Sequence, residues 1–152
     1  MDTSADIVID EPIDRVFGYI TDVTRMPTWV TGVTGARMVS DRMGEGARFV
    51  VDYQPGWRET ELEVVVEEYQ PPVLFATTTA RGPFAFSGRI ELEQTDTGTR
   101  VTSVIQADPD SLSTKVANLM IGGYIRRSMV RRLAGELAAL GAAIASDPGV
   151  RR

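Results

Sequence analysis

Between Arg37 and Ala107 apolar and polar residues alternate with a period of two, and short turn sequences separate the runs. In "ETELEVVVEEY", Glu59, Glu61 and Glu63 alternate with Thr60, Leu62 and Val64. In "FAFSGRIELEQ", Arg89, Glu91 and Glu93 oppose Phe86, Ile90 and Leu92. Successive side chains leave a strand on opposite faces, so this pattern predicts a sheet wet on one face and apolar on the other. "ARFVVDY" follows the Gly44–Gly46 turn, "VLFATTTA" follows Pro71–Pro72, and "RVTSVIQA" follows the hairpin turn "TDTGT". Strand succeeds strand through short turns, which is the signature of an antiparallel meander. A meander with one dry face must cover it.

The flanking segments supply the cover. "ADIVID" reads as a short strand, and "EPIDRVFGYITD" as a helix with Pro12 in its first turn and Ile13, Val16, Phe17 and Ile20 on one face. "VTRMPTWVTGV" is a second short helix or loop, broken at Pro27. After "DPDS", where Asp110 or Ser111 can cap, a long helical segment runs to about Ser146. Only that segment is long enough to lie across the sheet. The predicted class is α+β, order β-α-α-β6-α, with about seven strands around a C-terminal helix. Residues 1–147 form one expected domain, and 148–152 a short tail.

Composition narrows the chemistry. The chain has no cysteine and no histidine, which excludes disulfides, thiolate nucleophiles, His-ligated zinc and a Ser-His-Asp triad. No D-x-D-x-D-G or comparable ligand spacing occurs, so neither a metal nor any other cofactor is expected. The net charge of −5 argues against nucleic acid as partner. No apolar run is long enough for a transmembrane segment. The acidic start "MDTSADIVIDEP" does not resemble a secretory signal, so a cytoplasmic location is expected. The oligomeric state stays open.

Asp52 and the glutamates of the alternating runs read as a solvated face rather than a catalytic pair. On the last helix, Leu119, Val130, Leu133 and Leu137 share one apolar stripe, and Arg126 falls inside it just after Gly122–Gly123. A buried arginine needs a partner. Arg126 therefore either meets a ligand's oxygen or snorkels outward where the glycine pair kinks the helix; the rarity of buried arginine points outward. Arg127 and Arg131 read as solvated, and Arg132 with Glu136 as an i, i+4 surface pair.

The runs "IDEPIDRVFGYITDVTRMPTWVTGV", "GEGARF", "EYQPP" and "GTRVT", followed by a terminal helix of arginines and leucines, resemble the START-like (SRPBCC) polyketide cyclase/dehydrase and lipid-transport superfamily. Asp22, Pro27, Trp29, Gly46 and the Gly98–Thr99 turn match its pattern, and the resemblance spans essentially the whole chain. It implies the helix-grip (Bet v 1-like) fold, in which a curved antiparallel sheet grips the C-terminal helix around a cavity for a hydrophobic or amphipathic small molecule. On that fold Phe49, Tyr53, Phe84 and Phe86 form an aromatic concave face. The candidate ligand-binding set adds Trp29, which either walls the pocket mouth or packs as a core tryptophan, Val51, Leu62, Val64, and Leu119, Gly123, Arg126 and Val130 from the helix.

Three functions compete. The first is binding or transport of a lipid, isoprenoid or polyketide-like compound without catalysis. The second is an aromatic polyketide cyclase or dehydratase working without metal or histidine, for which Arg126, Tyr53 and Tyr124 are the candidate catalytic residues. The third is a membrane-surface module using the arginine-rich helix, which conflicts with that helix's apolar face being needed as the lid.

Overall fold

The computed structural model describes residues 2–54, 57, 59–82, 85–107 and 114–147, except the side chains of residues 2, 107 and 114–129. In chain order the elements are β1 (Asp2–Ile9), α1 (Ile13–Thr21), a 3-10 helix (Val23–Thr28), β2 (Val33–Met38), β3 (Arg48–Tyr53), β4 (Thr60–Gln70), β5 (Leu74–Arg81), β6 (Phe86–Gln94), β7 (Thr99–Ala107) and α2 (Thr114–Ser146). The expected α+β order is therefore present. β2 starts at Val33, earlier than the region read as alternating, because Gly35 and Ala36 interrupt any apolar–polar alternation there.

Seven strands form one antiparallel sheet in the order β1-β7-β6-β5-β4-β3-β2. Strands β2 to β7 are a plain meander, and β1 closes on β7 rather than on its sequence neighbour β2. The chain must therefore cross from one sheet edge to the other between β1 and β2, and α1 and the 3-10 helix make that crossing. Asp22 ends α1 and caps the 3-10 helix, accepting from the Thr24 backbone N–H at 3.2 Å and the Thr24 hydroxyl at 2.6 Å.

The turn between β6 and β7 ties this crossing to the sheet. A Cβ on Gly98 would overlap the Ile9 carbonyl oxygen, so only glycine lets the two backbones approach. Next to it the fully buried Thr99 donates its hydroxyl to the Glu11 carbonyl at 2.8 Å. This gives the Gly98–Thr99 match a physical content: it anchors the start of α1.

The dry face of the sheet and α2 share one core. Phe49, Val51, Leu62, Val66, Phe75, Leu92 and Val101 meet Val16, Phe17 and Ile20 of α1 and Leu137, Leu140 and Ile144 of α2. On the wet face Arg48 pairs with Glu63 on the neighbouring strand, Arg37 reaches Glu61 across β3, and Arg89 reaches Glu68 across β5. Such exposed pairs stabilise little, at most about 1 kcal/mol each. They keep that face in water.

The far end of α2 is held by arginines of the crossing. Arg15 Nη2 donates to the carbonyls of Ile144 at 2.6 Å and Asp147 at 3.0 Å, and Arg25 pairs with the Asp147 carboxylate at 2.7 Å. These cations sit where the helix dipole is negative and its last carbonyls have left the intrahelical ladder. Gly122–Gly123 does not end the helix, which is one element from Thr114 to Ser146. A glycine pair costs about 1 kcal/mol per residue relative to alanine, and a helix of 33 residues absorbs that.

Candidate functional site

Between the sheet and α2 lies a cavity of about 210 Å³. Alternation on β3 turns Phe49, Val51 and Tyr53 into it, and β4 contributes Leu62 and Val64 from the same face. Thr77–Thr79 of β5, Phe86–Gly88 of β6 and Ile105 of β7 complete the floor. Met26, Val30 and Val33 close one side, and Arg132, Leu133 and Glu136 of α2 form the roof. The lining is mainly aliphatic and aromatic, and Tyr53 meets Phe86 edge-on at 6.4 Å between ring centroids.

One corner is polar. Glu136 is almost fully buried, with only 7% of its side chain exposed, whereas Arg132 keeps 42%. Glu136 Oε2 accepts from the Thr31 backbone N–H at 2.8 Å and from Arg132 Nε at 3.4 Å. Arg132 Nη2 donates to the Thr31 carbonyl at 2.8 Å and to the Tyr53 hydroxyl at 2.9 Å. Two residues one helical turn apart thus hold both backbone groups of Thr31, clipping α2 to the loop before β2. Burial works against the Arg132 charge, but the hydrogen bond to Tyr53 and the nearby Glu136 carboxylate outweigh it and raise its pKa above the usual arginine value. The corner carries a fixed cation.

Gly32 shapes the same corner. Its φ of 85° is a left-handed conformation, and an added Cβ would come within 2.8 Å of Tyr53 Cε1. Its carbonyl accepts from Gln54 N at 2.7 Å, so the loop lies flat on the end of β3 and sets the Tyr53 ring.

The candidate residues separate as follows. Phe49, Val51, Tyr53, Leu62, Val64 and Phe86 line the cavity. Trp29, expected at the pocket mouth, is buried in the core and is not among the lining residues. The reason is local: Val30 N donates to Met26 O, a wide turn that brings those two side chains to the cavity while Trp29, at the helix end, leaves the helical path. Val130, also expected to face the ligand, is 40% exposed and lines nothing. It lies about 60° to one side of the Leu133–Leu140 line, and Glu136 about 60° to the other. The cavity opens on the Glu136 side. Phe84, Asp110 and Ser111 lie outside the described residues, as do the side chains of Leu119, Tyr124 and Arg126 and the surroundings of Gly123.

The residues that the sequence reading missed are Arg132 and Glu136, read there as a surface pair. A signal existed. Glu136 follows Leu133 by three residues and precedes Leu140 by four, which is core spacing for a helix. Among the described residues no group of acidic side chains could hold a metal, and no helix is long and apolar enough to cross a membrane.

Residues 1–142 match the family model described as polyketide cyclase / dehydrase and lipid transport. No curated protein matches the sequence. Similar solved structures include TTHA0849 from Thermus thermophilus, at TM-score 0.77 and 16% identity over 97% of this chain and 100% of that one. Ara h 8.0201 is similar at TM-score 0.69 and 12% identity, covering 97% of this chain and 99% of that one. The di-domain ARO/CYC BexL, from the BE-7585A biosynthetic pathway, is similar at TM-score 0.70 and 18% identity; the match covers 95% of this chain and 46% of that one. At these identities the likeness shows the helix-grip fold alone.

Proposed function

The chain belongs to the polyketide cyclase / dehydrase and lipid transport family, and from that premise we propose that it binds and carries a compact, largely apolar small molecule in the cavity under α2. The observation that carries this reading is the cavity itself: about 210 Å³, floored by aliphatic and aromatic side chains and the hydroxyl residues of β5 and β6, with a charged corner at Arg132 and Glu136. A dry apolar cavity of about 150 Å³ already takes benzene, whereas drug-sized pockets run from about 300 Å³. The volume therefore favours one or two fused rings over a long-chain lipid. Binding rests on shape and apolar burial, at roughly 25 cal/mol per Å² removed from water.

Titration with naphthalene, followed by its own fluorescence, tests the reading. A blocked variant makes the test local. A Cβ at Gly88 meets only Thr77 Oγ1, at an ordinary 3.7 Å, so Gly88→Leu is accommodated at its root and projects into the cavity. Saturable binding by the native chain, weakened at least about tenfold in Gly88→Leu, is the expected result. Binding unaffected by the blocked cavity sinks it.

A cyclase or dehydratase reading has one observation in its favour: a tyrosine hydroxyl, a guanidinium and a carboxylate meet in the cavity. A phenol and a carboxylate can move protons while a guanidinium polarises a carbonyl. Tyr53 stays the tyrosine candidate, and Arg132 takes the part that the sequence suggests for Arg126. Turnover of a short poly-β-ketone that Tyr53→Phe abolishes, with binding retained, would favour this reading over carriage.

A further inference from the structure

The polar corner has a donor and an acceptor left over. Arg132 has five N–H donors. Nε points to Glu136, and the two hydrogens of Nη2 go to the Thr31 carbonyl and the Tyr53 hydroxyl. Among the described residues Nη1 has no partner. Glu136 directs Oε2 to Thr31 N and Arg132, and Oε1 has no partner among those residues either. Both side chains line the cavity, and Glu136 is more than nine-tenths buried. A largely buried side chain that lines the cavity and keeps one carboxylate oxygen unengaged can accept a hydrogen bond from a group inside it.

We infer that the cavity selects a neutral ring compound bearing a hydroxyl, a phenol or an enol, whose O–H donates to Glu136 Oε1 and whose oxygen accepts from Arg132 Nη1. This rests on the cavity being the ligand site, as proposed above. The choice of a neutral hydroxyl over an anion follows from the charges. Glu136 already balances Arg132, so a carboxylate entering the corner gains one donor and faces a second carboxylate. A bare hydrocarbon leaves both groups unpaired. A hydroxyl alone satisfies the two at once. Thr31 and Tyr53 position the guanidinium by occupying its other donors.

Three probes of one size separate the possibilities at pH 7: naphthalene, 2-naphthol and 2-naphthoate, titrated by fluorescence. The native chain is expected to bind 2-naphthol about ten- to a hundredfold more tightly than naphthalene, and more tightly than 2-naphthoate. Arg132→Met keeps the alkyl stem and removes the donors; it should narrow the preference for 2-naphthol over naphthalene. Glu136→Gln should weaken 2-naphthol and strengthen 2-naphthoate, a reversal that loss of structure cannot produce. If either variant fails to fold, the ranking of the three probes on the native chain decides alone. Equal binding of naphthalene and 2-naphthol, or 2-naphthoate binding at least as tightly as 2-naphthol, overturns the inference and leaves the cavity reading standing. Binding of none of the three overturns both.

Discussion

Glu136 is where residue identity and position disagree most, because a carboxylate occupies a core position of α2. It is tolerated because Thr31 N and Arg132 satisfy one oxygen. Removing its partner exposes that arrangement. Arg132→Ala is expected to lower stability by about 2 kcal/mol, less than for a fully buried pair because Arg132 is partly in water. Urea unfolding measures it, and a change below about 0.5 kcal/mol would mean that the pair is only a surface feature. The pH response follows from the sign of the shift. A raised arginine pKa gives stability that is fully present below the ordinary arginine value and is lost only as pH climbs through the raised one. Arg132 therefore adds no pH dependence to stability near neutrality. Gly32→Ala places a Cβ against Tyr53 in a left-handed conformation and should cost about 1–3 kcal/mol, with naphthalene binding weakened as the ring shifts. None of this was legible one residue at a time. An arginine four residues before a glutamate reads the same on a solvated face and over a cavity; the spacing of Glu136 from Leu133 and Leu140 marks its side of the helix, and the approach of the loop at Thr31 shows what the pair meets.

At the scale of elements, the strands were legible because a period of two is a direct record of one wet face. Leu62 is buried and Glu61 exposed, Leu92 is buried and Glu93 exposed, as the alternation requires. The start of β2 was not, because Gly35 and Ala36 have no face to declare. For α2 the existence of an apolar stripe was legible, and its centre was not. Leu119, Val130, Leu133 and Leu137 give one line; among the described side chains Leu133 and Leu137 are buried together with Leu140 and Ile144, whereas Val130 is 40% exposed. A paired substitution checks the difference. Leu140→Ala should cost about 3–4 kcal/mol in unfolding free energy, and Val130→Ala less than about 0.5. Similar losses at both positions would contradict the helix orientation. Gly98→Ala tests the anchor of α1: with its Cβ against the Ile9 carbonyl the backbone must move, at a cost of about 3 kcal/mol seen as a lower Tm.

For the whole molecule, seven strands and two helices leave a space that packing does not fill. Cores are close-packed, and a void of about 210 Å³ forfeits contacts that a filled core would keep. The volume could not be read from the sequence. It depends on how far α2 stands off the sheet, which the Arg132–Glu136 clip and the arginines at its far end decide together. The family resemblance implied a cavity, and the described side chains give it a volume of about 210 Å³ and a polar corner at Arg132 and Glu136. The most direct test is methyl-resolved NMR of the native chain titrated with naphthalene. The account predicts that the methyls of Val51, Leu62, Val64, Ile105 and Leu133 shift saturably while those of the exposed Val39, Val73 and Val130 stay in place. Shifts confined to the exposed group, or none at all at saturating probe, would contradict it.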